Sequence, residues 1–116
     1  MTEQQIQRAV FQNLRQRSAR GVFAFHPMNG GVHQKGMRRG INAGNGVVPG
    51  VPDIILIKDG RVRGLELKAE KGKISEAQVH THLTMAQAGC PVHVAFGLND
   101  ALTFLENSGY LKGRAA

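Results

Sequence analysis

Residues 51–68 read VPDIILIKDGRVRGLELK, and their pattern decides the fold. Ile54 to Ile57 form a continuous apolar run, Asp59-Gly60 is a two-residue turn signal, and Leu65 and Leu67 then alternate with Glu66 and Lys68. Asp-Gly tolerates the positive φ angles of a tight hairpin turn, so the two runs are predicted to be antiparallel neighbours. Such a turn pairs Lys58 with Arg61, and counting outward along both strands sets Asp53 opposite Glu66. Directly opposed residues have Cβ atoms roughly 4.5 to 5.5 Å apart, where like charges destabilise a sheet unless something positive sits between them. A divalent cation is the obvious candidate. Lys68 follows Glu66 by two positions, so the period of two in a strand turns its ammonium toward the same face.

Taken singly, Asp, Glu and Lys at strand ends are more often solvated surface charge than a site. Their neighbours change that weighing. The apolar run on one strand and the alternating leucines on the other mark both strands as central and largely buried. Charges projecting from such strands are costly unless paired or bound to metal.

With 116 residues, 41% of them apolar, the chain is expected to form one small domain spanning residues 1–116 with a core of its own. Fifteen Lys and Arg against eight Asp and Glu give a net charge of +7, the electrostatic footprint of a polyanion binder. An acidic membrane surface is the competing partner. Against it, no run approaches the roughly 18 apolar residues of a membrane span, and the N-terminus lacks the basic-then-apolar order of a signal peptide. A soluble, cytoplasmic protein of a bacterial or phage-infected cell is expected. The single Cys90 excludes an intrachain disulfide and reads as a small buried hydrophobe.

Ile6, Val10 and Leu14 recur every four residues and predict an amphipathic helix from Thr2 to Arg17. Glu3 falls on the same stripe and is expected to face inward; either it favours the helix dipole or it belongs to a site. Val22 to His26 reads as a strand. Residues 29–50 are glycine-rich, with Lys35, Arg38 and Arg39 interspersed, and together with Asn29 they are candidates for contact with a nucleic-acid backbone. No phosphate-loop or dinucleotide fingerprint is present, so a nucleotide cofactor is not expected.

Beyond the hairpin, Lys71-Gly72-Lys73 turns the chain and adds two cations to the proposed DNA surface. Ser75-Glu76-Ala77-Gln78 matches a capping box opening a helix that runs to Ala88. That box fully explains Gln78, yet Gln78 shares a helix flank with His82 and is also placed to turn its amide toward Lys68 or a substrate. Pro91 to Phe96 reads as a strand, and Asn99 or Asp100 as the cap of a last helix reaching Tyr110. The order is α-β-β-β-α-β-α, an α/β fold. His80 and His82 diverge by about 200° on a helix and cannot chelate together, so zinc is not expected. No local signature of a Ser-His-Asp triad appears.

Gly50-Val51-Pro52-Asp53, then Glu66-Leu67-Lys68, then Ser75-Glu76-Ala77-Gln78 together resemble the PD-(D/E)XK nuclease superfamily and, more narrowly, its VRR-NUC family of virus-type replication and repair nucleases. The resemblance extends from Glu3 to the strand at 91–96. It implies a restriction-endonuclease-like core, a mixed sheet flanked by helices, that hydrolyses DNA phosphodiester bonds with Mg2+ or Mn2+. It also implies that Glu3 lies near the metal and Gln78 beside Lys68, and that a stand-alone domain acts on four-way junctions as a homodimer. Oxygen donors from Asp53, Glu66 and the Leu67 carbonyl suit such a cation, while Lys68 orients a water or stabilises developing charge. Two readings compete with junction cleavage: a flap or nicking nuclease, and a basic module that binds nucleic acid without cutting it.

Overall fold

The structure, a computed structural model, describes residues 1–28 and 44–114. Its elements are α1 (Glu3–Arg17), β1 (Phe23–Phe25), β2 (Ile54–Lys58), β3 (Arg61–Lys68), α2 (Glu76–Gln87), β4 (Val92–Phe96) and α3 (Leu98–Asn107). The four strands form one sheet in the order β1-β2-β3-β4. The first two pairings are antiparallel and β3 with β4 is parallel, so the sheet is mixed.

The hairpin takes the expected form. Asp59 and Gly60 have φ of 53° and 74°, the pair of positive angles that a tight turn between right-twisted strands requires. Lys58 pairs with Arg61 and Ile54 with Leu65, and one further step in this register sets Asp53 opposite Glu66. Parallel pairing of β3 and β4 needs a crossover, and α2 provides it.

One face of the sheet carries the core. Ile54, Leu56, Leu65 and Leu67 are wholly buried there with Ile6, Val10 and Leu14 of α1 and Ala101, Leu102 and Leu105 of α3. Truncating any of these leucines to alanine removes about 2 to 5 kcal/mol of stability. Thr2 and Gln5 close a reciprocal capping box at the start of α1, and Arg17 near its end reaches Glu106 of α3 at 2.6 Å. The two helices are thereby fastened over the sheet.

Several expectations need correction. The first strand is shorter, Phe23–Phe25. Ile55 is half-buried and Ile57 is exposed, so β2 is covered on only one face. Neither Asn99 nor Asp100 caps the last helix. Gly97, at φ 92°, turns the chain directly from β4 into α3, leaving Asp100 in the first helical turn, where its Oδ2 accepts the Phe96 N–H at 2.8 Å. That helix ends at Asn107 rather than Tyr110. Cys90 is half-buried rather than buried. Among the described residues, no helix is long and apolar enough to cross a membrane.

Candidate active site

Alternation along β3 fixes the site. Leu65 and Leu67 point into the core, so Glu66 and Lys68 project from the opposite face, beneath α2. Both are nonetheless buried, 2% and 7% exposed. Lys68 Nζ lies 3.7 Å from Glu66 Oε2, and the same oxygen accepts a hydrogen bond from Gln78 Nε2 at 3.0 Å. Glu66 Oε1 is buried without a hydrogen-bonding partner.

Asp53 meets Glu66 from the end of β2. Its Oδ2 accepts the Leu67 N–H at 2.9 Å, which ties the carboxylate to the strand bearing its partner. Burial raises the pKa of Glu66 from 4.5 to about 8; the Asp53 carboxylate adds to the rise through its charge and a side-chain hydrogen bond, and Lys68 opposes it. Without a cation the pair therefore holds a proton at neutral pH. The chain has built two acids that cannot both ionise at low cost, a standing attraction for a positive ion.

The Leu67 carbonyl is placed by the same hydrogen-bond alternation. The Gly64 N–H bonds Pro91 and the Lys68 carbonyl accepts from Gly97, so the even-numbered residues of β3 bond toward β4 and Leu67 faces the β2 side. The ladder with β2 ends at the Ile54–Leu65 pair, and Pro52 lies over the face of Gly64.

Gln78 takes the capping role and also reaches into the site. Its Oε1 accepts the Ser75 N–H at 2.9 Å and its N–H bonds Ser75 Oγ, completing the capping box, while its Nε2 holds Glu66. The amide turns to Glu66 rather than to Lys68. Glu3, expected to face inward, is exposed. As a residue of the first helical turn it stays in solvent at the rim, and its charge is the least of the influences on Glu66. Lys71 and Lys73 are exposed in the turn between β3 and α2, next to the Lys68 end of the strand. Asn29, Lys35, Arg38 and Arg39 lie outside the described residues.

Two histidines, His26 and His82, also enter the site. The His26 ring donates from Nδ1 to the Asp53 carbonyl at 2.6 Å, holding the end of β1 against the acid-bearing segment. His82 is 8% exposed on α2, and its ring faces the Gly50 carbonyl as a hydrogen-bonding partner. Burial lowers its pKa, which favours the neutral ring. Its spacing of four from Gln78 was the available signal, because i and i+4 share a helix face. The Gly50 segment is itself pressed on α2: Thr81 Oγ1 donates to the Pro49 carbonyl at 2.6 Å, and Gly50, at φ 87°, sits so close that a Cβ would stand 2.5 Å from the Ala77 carbonyl oxygen.

Among the described residues, no three His, Cys, Asp or Glu side chains gather as a metal cluster. The donor set on offer is two carboxylates and a main-chain carbonyl, oxygen ligands that leave room for waters and for substrate, as Mg2+ prefers. A concavity of about 750 Å³ lies at the hairpin end of the sheet between Lys58, Arg61, Arg63 and Tyr110, away from the acids.

No protein-family model and no curated protein matches the chain. A solved structure described as a VRR_NUC domain protein superposes with a TM-score of 0.73 and 19% sequence identity, covering 92% of this chain and 87% of that one. The likeness is one of fold. The chain has the α/β, restriction-endonuclease-like architecture of that domain, a mixed sheet with helices on both faces.

Proposed function

We propose that the protein is a divalent-metal-dependent endonuclease that hydrolyses phosphodiester bonds in DNA, and that its preferred substrate is branched DNA, a four-way junction cut by a homodimer. The observation that carries the reading is the buried Glu66 beside the half-buried Asp53, with Lys68 on the same patch. The fold shared with a VRR_NUC domain protein and the net charge of +7 support it.

The residues present fit Mg2+ or Mn2+: Glu66 Oε1 is buried without a partner, and the pair retains a proton that a cation would displace. Asp53, Glu66 and the Leu67 carbonyl would hold it, with Glu3 at the rim. Bound there, the ion supplies Lewis acidity to a water and to a phosphate oxygen. Lys68, held at the site through its neighbour Glu66, orients the water and stabilises charge developing on the phosphate. Gln78 fixes the Glu66 carboxylate, and the Leu67 N–H fixes Asp53. Lys71, Lys73 and the cations of residues 29–50 neutralise neighbouring phosphates, a salt-dependent contribution.

Dimerisation is supported by the sheet itself. Phe23, Ile57 and Val62 are cross-strand neighbours in one row, and all three are exposed, with Phe25 beside them. This apolar strip suits a second copy related by a two-fold axis, which would present one site to each of two strands. The test is a panel of labelled four-way junction, flap, single-stranded and duplex DNA incubated with Mg2+, Mn2+ or EDTA. Paired symmetric cuts in the junction, abolished by EDTA, are expected. Cutting of flaps or nicking by a monomer would replace junction cleavage with the narrower activity, and tight salt-sensitive binding without any cutting would leave only the binding module.

A further inference from the structure

We propose that His82 is a positioning residue of this site, its Nε2 a fixed hydrogen-bond acceptor for a water held beside Asp53 and Lys68. The inference rests on the nuclease reading and adds a residue to it.

His82 lies one helical turn beyond Gln78 on the same flank of α2, and Gln78 is bonded to Glu66. Asp53 and Lys68 are the charged groups that act on the ring. The residue is more than nine-tenths buried, yet Nε2 has no hydrogen-bonding partner. With Nε2 unpartnered, the ring proton is assigned to Nδ1, toward Gly50. That tautomer leaves a lone pair on Nε2, so the orphan is an acceptor. Buried acceptors without a partner are rare in folded chains, and those that persist call for an explanation. Glu66 Oε1, a buried oxygen, lies in the same site.

A purely structural histidine is the competing account: the ring would serve only to strap Gly50, and through it Asp53, to α2. The two ring nitrogens separate these accounts. In His82→Asn the amide stands near the Nδ1 position and keeps a donor for Gly50 while removing the acceptor. In His82→Gln the longer side chain places an amide oxygen near Nε2. For His82→Asn we expect an unchanged melting temperature and an unchanged Kd for DNA in the presence of Ca2+, with single-turnover cleavage slowed on the order of 100-fold. For His82→Gln we expect cleavage within about tenfold of the parent. Cleavage by His82→Asn at the parent rate would overturn the proposal, as would a loss that appears in melting temperature or Kd instead of in rate. A readout independent of cleavage is the long-range 1H–15N spectrum of the His82 ring at neutral pH, which should show a proton on Nδ1 and a bare Nε2. A proton on Nε2 would overturn the proposal even if the protein cuts DNA. A parent that cuts nothing, with the expected tautomer, would instead count against the nuclease reading.

Discussion

Replacing Glu66 by glutamine should make the metal-free protein more stable at alkaline pH, the reverse of what removing a buried charged residue from a structural ion pair does. Glu66 titrates at about 8 in the folded chain against 4.5 when unperturbed, chiefly through burial and then through Asp53. Its folded value lies above the unfolded one, so its contribution is fully present below about pH 4.5 and is lost as the pH rises toward 8. The full shift corresponds to roughly 5 kcal/mol, an upper limit. Glutamine mimics the protonated acid: its carbonyl can still accept from Gln78 Nε2, and its amide can donate to the Asp53 carboxylate. In EDTA at pH 9, Glu66→Gln should therefore exceed the parent by about 2 to 4 kcal/mol, or about 8 to 16 °C in melting temperature for a domain of this size. At pH 4.5 the two should be nearly equal. Thermal melts across this pH range, with and without Mn2+, provide the assay. Mn2+ should raise the parent's melting temperature at pH 8 and leave the variant's nearly unchanged, since the cation takes the place of the proton. Parallel pH profiles for the two proteins, or a variant less stable at pH 9, would refute the claim that Glu66 and Asp53 are held together against their charge.

Gly50→Ala places a Cβ against the Ala77 carbonyl oxygen in a backbone conformation that alanine adopts poorly. A loss of about 2 to 4 kcal/mol is expected in a denaturant titration, together with reduced cleavage because Asp53 lies three residues on. Gln78→Ala removes both the capping box and the hydrogen bond to Glu66; it should cost about 1 to 2 kcal/mol in thermal melts and lower the cleavage rate further than any other capping residue would. Lys68→Ala should abolish cleavage while leaving DNA affinity in Ca2+ within a few-fold of the parent, as measured by fluorescence anisotropy.

Much of this arrangement was legible in the residues because the hairpin is a counting problem. Once Asp59-Gly60 supplies the turn, the period of two determines that Asp53 faces Glu66 and that Lys68 joins them. The helices were legible for similar reasons: Ile6, Val10 and Leu14 form a stripe, and Ser75 to Gln78 form a cap. What pattern could not supply was contact between distant segments. The start of α3 was misplaced because Gly97, lacking any side-chain capping group, turns the chain through its backbone alone. Glu3 was expected to face inward from its angle on the stripe, but a first-turn residue lies beyond the core it points toward. His82 gave little signal because the groups that act on it, Gly50, Lys68 and Asp53, come from other parts of the chain, and only the spacing from Gln78 hinted at them. The dual use of Gln78 was hidden for a different reason: a capping box accounts for its oxygen and leaves its amide nitrogen unassigned.

The most direct test of the central claim is to incubate labelled four-way junction DNA with the protein in Mn2+, beside Asp53→Asn. The expected result is cleavage by the parent, none with EDTA, and none by the variant despite undiminished DNA binding. A variant that cuts at the parent's rate, or a parent that binds the junction and leaves it intact in both Mg2+ and Mn2+, would contradict the assignment of phosphodiester hydrolysis to this carboxylate pair.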